Sequence, residues 1–312
     1  MNSETLISIN EVYRYYGNYC AVNNVSFTVE RGEVLGFLGL NGAGKSTTMQ
    51  IISGVLTASR GSVSIAGFDI MEMPRLAKSH LGFLPEQPPL YNDLTVDEYL
   101  KYAARLRGLN RKNIRVAADM SKQRCGLEQA GGRLIKNLSK GYRQRVGIAQ
   151  AIIHSPAVII LDEPTSGLDP VQIREIRELI KELGRDHSVI LSTHILPEVQ
   201  AICDRVLIIH EGQLVCDRQL KQLNEDKQNN FISVAFRQIP SLEALTSIEG
   251  IKNIEKTGEQ HFRLELHSGT TAIDYLVRSS ANNGWGLYEI IPETDSLEET
   301  FMRLTSGAKE IA

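Results

Sequence analysis

A chain of 312 residues with 42% hydrophobic and 23% charged residues has the composition of an ordinary soluble globular protein, long enough for one large domain and a small one. Its formal net charge of −3 leaves no basic footprint, which excludes nucleic acid as the expected partner, and the local cluster Arg105, Arg107, Arg111, Lys112 and Arg115 reads as a solvated helix face. No apolar run approaches the about 18 residues of a membrane span, and the N-terminus lacks a basic segment followed by an apolar one, so a cytosolic chain is expected in which Cys20, Cys125, Cys203 and Cys216 are reduced packing residues rather than disulfide or zinc ligands.

In chain order, Leu6 to Tyr16 and the alternating Val25, Phe27 and Val29 predict two half-buried antiparallel strands. Val34 to Leu38 is a short apolar run that reads as a buried strand. It leads directly into Gly39-Leu40-Asn41-Gly42-Ala43-Gly44-Lys45-Ser46-Thr47, which fits the phosphate-loop pattern G-x-x-x-x-G-K-[ST], and Thr47 to Ile52 continues as a helix. Here Gly39, Gly42 and Gly44 let the backbone turn its N–H groups inward, so that with Asn41, Ala43 and Thr47 the loop holds a polyanion mostly through main chain at a helix N-terminus. Lys45 supplies a point charge for the β- and γ-phosphates, and the Ser46 hydroxyl a ligand for Mg²⁺. Without the strand before it and the helix after it, the stretch would be only a glycine-rich turn.

Gly61 to Gly67 and Leu81 to Leu84 read as further strands, after which Pro85-Glu86-Gln87-Pro88-Pro89 ends regular structure. A helical subdomain is expected over about 88–155. Thr95 and Glu98 form a capping box with Leu94 and Tyr99 as its staple, and the helix runs to about Arg107. Ser139 caps a second helix with Tyr142, Val146, Ala149 and Ile153 on one face. The sheet resumes with Ala157 to Leu161, a continuous apolar run covered on both faces. Asp169 as N-cap, Pro170 and Gln172 then start a helix with Ile173, Ile176, Ile180 and Leu183 inward, and Val189 to Leu191 and Val206 to Ile209 are strands. Strands alternating with helices predict an α/β fold, a P-loop NTPase core whose sheet is mixed and largely parallel.

Residues 221–230 are polar and read as a linker, separating an ATPase-like domain over 1–220 from a small α+β domain over 231–312. There the order strand (Phe231 to Phe236), helix (Ser241 to Thr246), strand (Ile251 to Lys256), strand (Phe262 to Leu266), helix (Thr271 to Ser280), strand (Gly286 to Ile291) is ferredoxin-like, and Ser296 to Glu299 caps a last helix. This region has no phosphate-binding or catalytic constellation and is expected to regulate or dock.

Asp162-Glu163 falls at the carboxyl end of the strongest strand, where open α/β sheets place ligands. One carboxylate can hold Mg²⁺ while its neighbour, pointing elsewhere, orients or deprotonates a water. With these residues in order, the chain over about 5–218 resembles the nucleotide-binding subunits of ABC transporters. The resemblance places Tyr16 as the aromatic that stacks on adenine, chosen by spacing from Tyr13, Tyr15 and Tyr19. It places Gln87 as the glutamine between sheet and helical subdomain, near the metal and the γ-phosphate. Leu138-Ser139-Lys140-Gly141-Tyr142 is similar to the family signature, so Ser139 and Gly141 would bind ATP of a second chain. Asp162 matches the Mg²⁺-associated aspartate, Glu163 the catalytic glutamate, Ser166 to Asp169 the loop at the dimer interface and His194 the switch histidine.

The signature departs from the commonest form at Lys140, where Gly is usual, and at Tyr142, where Gln is usual. That variant, and the ending Asp295 to Phe301, resemble a bacterial export branch with a separate membrane subunit. The resemblance implies an ATP- and Mg²⁺-dependent ATPase, peripheral on the cytoplasmic face of the cell membrane. It would pair as a homodimer or with another ATPase subunit and drive an integral membrane permease. A soluble ABC-type ATPase acting on ribosomes or DNA is the alternative, disfavoured by a single phosphate loop and no sustained heptads. Glu163 and His194 argue against a non-hydrolysing binding module.

Overall fold

A computed structural model describes residues 4–220, 231–258, 260–267, 271–293 and 301. The chain divides after Leu220 into two compact units. In the first, strands β1 (Thr5–Tyr16) and β2 (Tyr19–Glu30) form a hairpin about Gly17, whose φ of 58° suits glycine. Strands β3 (Val34–Leu38), β4 (Arg60–Ile65), β5 (Phe68–Asp69) and β6 (Leu81–Leu84) follow, and β1 pairs β4 to give a sheet of order β2-β1-β4-β5.

The second sheet adds β7 (Val158–Asp162), β8 (Ser188–Thr193), β9 (Arg205–His210) and β10 (Gln213–Gln219), in the order β10-β9-β3-β8-β7-β6. All its neighbours run parallel except β9 and β10. Every residue of β3, β7 and β8 is buried, because helices cover one face of this sheet and the first sheet, with the helix that follows the glycine loop, covers the other. Register then puts the carboxyl ends level, Leu38 opposite Thr193 and Ser192 opposite Asp162, so three strand ends open onto one edge.

The helices of this unit are α1 (Lys45–Ile52), α2 (Pro74–Ser79), α3 (Val96–Leu106), α4 (Arg111–Arg124), α5 (Lys140–Ile152), α6 (Pro170–Leu183) and α7 (Leu196–Ile202). Thr95 and Glu98 form the expected capping box on α3; Asp169 caps α6 through Gln172 N–H. On α5 the buried residues include Val146, Ile148, Ala149 and Ile152, whereas Tyr142 is 40% exposed, since the start of the helix buries Gly141 and Gln144 instead. Arg107 also departs from a solvated face: it is half-buried and donates to the Lys78 carbonyl at 3.0 Å. The four cysteines are free, and burial pushes the Cys125 thiol up to about 12. Among the described residues no helix is long and apolar enough to cross a membrane.

The second unit contains β11 (Phe231–Phe236), α8 (Leu242–Thr246), β12 (Ile251–Lys256), β13 (His261–Leu266), α9 (Ala272–Asn283) and β14 (Leu287–Glu293). Its antiparallel sheet has the order β12-β13-β11-β14, the ferredoxin-like arrangement, over a core of Val234, Phe236, Phe262, Leu264 and Leu276. The 221–230 stretch and the Ser296 to Glu299 cap lie outside the described residues, as does the Asp295 to Phe301 ending apart from Phe301 itself, which is helical and buried.

Candidate active site at the phosphate loop

The loop between β3 and α1 is shaped by two left-handed glycines, Gly42 (φ 84°) and Gly44 (φ 105°), the second being the N-cap of α1. A side chain at Gly44 would begin 2.5 Å from the Ala21 carbonyl oxygen, and one at Gly39 would begin 2.6 Å from that of Ile209. Both positions therefore require glycine for space. The first turn of α1 has no acidic residue and contains Lys45, which is only 5% exposed. Its Nζ donates to the carbonyls of Gly39 (2.9 Å) and Leu40 (3.2 Å) and sits 3.3 Å from Glu163 Oε1. The ammonium is thus folded back over the loop, where an incoming phosphate would meet it.

Strand β7 ends on the two carboxylates. Asp162 is buried, and its Oδ1 accepts from the hydroxyls of Ser192 (2.8 Å) and Ser46 (3.3 Å). Burial raises its pKa, the two hydroxyls oppose that rise, and the charges of Glu163 and Glu86 add to it. Glu163 takes a left-handed φ of 48°, with its N–H donating to the Ser192 carbonyl at 3.0 Å. This turn sends adjacent carboxylates to different partners. Asp162 goes to Ser46, while Glu163 goes to Lys45 and to His194, whose Nδ1 lies 2.9 and 3.1 Å from its two oxygens. His194 is part-exposed, its other edge free to face the cleft.

A cleft of about 510 Å³ joins these groups to the end of the β1–β2 hairpin. Asn41, Gly42, Gly44, Lys45, Ser46 and Thr47 line it, with Glu163 and His194. Gly39 and Ala43 shape the loop from behind, Ala43 through a carbonyl that accepts from Gly212 N–H at 3.0 Å. Of the four neighbouring tyrosines, Tyr16 and Tyr19 line the cleft; Tyr13 and Tyr15 stack on each other with centroids 6.4 Å apart. The Arg14 guanidinium lies 4.9 Å from the Tyr16 ring centre.

Gln87 is not brought to the cleft. It is exposed, while the preceding residue, Glu86, also exposed, lines the cleft. Ser139 and Gly141 do not line the cleft either. Exposed Ser139 caps α5 by accepting from Tyr142 N–H at 3.3 Å. Gly141 is buried against α6, where a side chain would start 2.7 Å from the Gln172 amide carbon, and a side chain at Gly167 would collide with the Lys140 ammonium. The signature turn and the Ser166–Asp169 loop therefore pack as one surface. Sequence reasoning missed Glu86, Tyr19 and the Ser192 hydroxyl; for Ser192 the signal was its place two residues before His194 on a strand neighbouring Asp162.

Residues 22–166 match the family described as ABC transporter. The ABC transporter ATP-binding protein YhcH of Bacillus subtilis is 34% identical over 310 residues, covering 98% of each chain. The bacitracin transport ATP-binding protein BcrA of Bacillus licheniformis is 32% identical over 308 residues, covering 97% of this chain and 98% of its own. Among solved structures, the dimeric structure of MJ0796, a bacterial ABC transporter cassette, superposes with a TM-score of 0.63 at 25% identity, over 69% of this chain and 99% of that one.

Proposed function

The chain belongs to the ATP-binding subunits of ABC transporters, a family of ATPases, and from that premise we propose that two such chains close head to tail around two ATP molecules and drive a separate membrane permease in export, on the cytoplasmic face of the membrane. One observation carries this reading: Glu163 is held between Lys45 and His194 inside the cleft, while the signature turn Ser139–Gly141 lies outside it in the same chain. A site with its base in one chain and its second anion-binding turn elsewhere is completed by another copy, and the dimer of the MJ0796 cassette supports that arrangement. Export is supported by BcrA, which is named for bacitracin transport.

In this reading the loop amides of Gly42 to Thr47 and the Lys45 ammonium hold the phosphates, and Tyr16 stacks on the base. Once phosphate oxygens neutralise Lys45, Glu163 is released to take a proton from the attacking water, and His194 keeps the carboxylate aimed. The residues fit Mg²⁺: Ser46 and Asp162 offer hard oxygens 3.3 Å apart. When bound, Mg²⁺ would offset the charge of the phosphate oxygens. Gln87, on the connecting turn, would report this site to the membrane subunit, and Glu86 beside it lines the cleft. The second unit regulates or docks.

The test is a disulfide across the interface. In a chain with the four cysteines replaced by serine and Glu163→Gln to retain ATP, Asn41→Cys and Ser139→Cys are combined. Bridging requires Cα atoms within about 7 Å, so oxidation should join two chains in ATP. ATP-dependent dimers seen by size, with only monomers on a non-reducing gel, would refute the head-to-tail arrangement.

A further inference from the structure

Behind the switch position lies a carboxylate that the proposed reaction does not use. Glu198, in α7, is fully buried. Its Oε2 accepts from the Thr193 hydroxyl at 2.8 Å, and its Oε1 faces the Arg177 guanidinium of α6 at 3.4 Å. Thr193 is also fully buried, and its hydroxyl oxygen in turn accepts from Ile195 N–H at 3.1 Å, forming a bridge across His194. The Thr193 carbonyl accepts from Gly39 N–H at 3.3 Å, at the start of the phosphate loop.

A single threonine thus joins the phosphate loop, the residue beyond His194 and a buried charge. A carboxylate in such surroundings holds its hydrogen-bond partners firmly, since no water competes for them. Among the described residues its one counter-charge comes from α6, the helix that Asp169 of the interface loop caps. Among the described residues the ring of His194 meets Glu163 alone and is otherwise part-exposed.

We propose that Glu198 is a positioning residue for hydrolysis, which fixes the backbone on both sides of His194 through the Thr193 hydroxyl and ties that backbone to α6 through Arg177. The inference rests on His194 acting as the switch. Misplacement of a reacting group by an ångström lowers turnover on the order of 10²-fold, so loosening this anchor should lower the hydrolysis rate while leaving nucleotide affinity alone.

The test uses the full chain, with single-turnover ATP hydrolysis and equilibrium ATP binding as paired readouts. Thr193→Val removes the hydroxyl with almost no change of shape. Glu198→Asp keeps the buried charge beside Arg177 but withdraws the acceptor from Thr193. Each should lower hydrolysis about ten- to a hundredfold with ATP affinity within about twofold, the pair together should do no worse than either alone, and Thr193→Ser should restore the rate. The same substitutions are then placed in His194→Ala, where Thr193→Val should have no further effect. If Thr193→Val lowers the rate as much without His194 as with it, the role is structural and the proposal is overturned. Wild-type rates in Glu198→Asp overturn it equally. His194→Ala with unchanged hydrolysis would instead remove the switch reading itself, a separate and recognisable failure.

Discussion

Replacing Glu163 by Gln should do two opposite things, and the surroundings of Lys45 set their size. That ammonium is 5% exposed and has three partners: two loop carbonyls and the Glu163 carboxylate at 3.3 Å. The substitution removes the one negative charge but keeps an oxygen that can accept, so the loss lies near the lower range of a charged hydrogen bond, about 2 kcal/mol. In a unit of this size 1 kcal/mol moves Tm by about 2–4 °C, which predicts a nucleotide-free chain melting about 4–8 °C lower. With ATP bound, phosphate replaces the lost carboxylate and the deficit disappears. Linkage then requires that ATP bind the variant more tightly by the same 2 kcal/mol, about 30-fold. Turnover falls in the other direction, by roughly 10²–10⁴-fold, the worth of a positioned general base. Calorimetric melts with and without ATP, equilibrium binding and phosphate release measure the three effects. An unchanged melt together with unchanged ATP affinity would refute Glu163 as the counter-ion of Lys45, and turnover within a factor of two would refute it as the base.

The other predictions concern the base, the pH range and the second unit. Tyr16→Ala should weaken ATP binding by about 5- to 150-fold, the range of one aromatic stack, while Tyr13→Ala, whose ring lies against Tyr15, should change it less than about twofold; equal losses in a titration with a fluorescent nucleotide would show that the cleft does not discriminate between the two rings. Burial, with the Arg107 charge behind it, holds the His154 pKa down at about 4, so the neutral ring is the form the fold prefers. The stability this provides is present above the unfolded value of about 6.5 and lost as pH falls toward 4. His154→Gln should therefore lose less Tm than wild type between those pH values, though not all the slope, because burial also depresses His187. A chain ending at Asn230 should keep ATP affinity within about threefold, since among the described residues the phosphate-loop contacts lie before Leu220 and the second unit has its own core; loss of binding in a fragment with native circular dichroism would contradict this.

How much was legible before the structure depends on whether a signal was local. β3, its glycine loop and β7 were readable because an unbroken apolar run, buried at every position, has one physical explanation beside a phosphate-loop pattern. The capping box of α3 was readable because its signal is local: Thr95 and Glu98 satisfy each other's backbone groups within four residues. Sheet order was not, because β3 sits between β8 and β9, partners drawn from beyond residue 187. Nor was the choice between adjacent side chains at an irregular turn. A shift of one residue reverses which side chain faces inward, and after Pro85 no strand period remains to count from, so Gln87 matched by residue type while Glu86 occupies the cleft. The tyrosines fall between these cases. Tyr13 and Tyr15 are two apart and share a face, with Tyr16 on the other, yet β1 changes register at Val12, Arg14 and Tyr15, so counting from its buried half would have failed.

The signature shows the same division at the level of the assembly. Ser139 was identifiable as a cap because its work, accepting from Tyr142 N–H, is done within one turn. What Lys140 does at the place where Gly is usual is decided by Gly167, distant in sequence, whose missing side chain leaves room for the ammonium. That contact joins the signature turn to the interface loop of the same chain, and Gly141 against Gln172 reinforces it one residue later. If a second chain presents its ATP to Ser139, it meets this combined surface rather than a free helix end. Lys140 adds a positive charge to the first turn of α5, which has no acid, so closure should weaken with salt more steeply than a neutral glycine would make it. Lys140→Gly in the Glu163→Gln background tests this directly: ATP-driven dimerisation, followed by size between low and high salt, should lose part of its salt dependence. An identical salt dependence in the two proteins would mean that the Lys140 charge stays with its own chain and takes no part in closure.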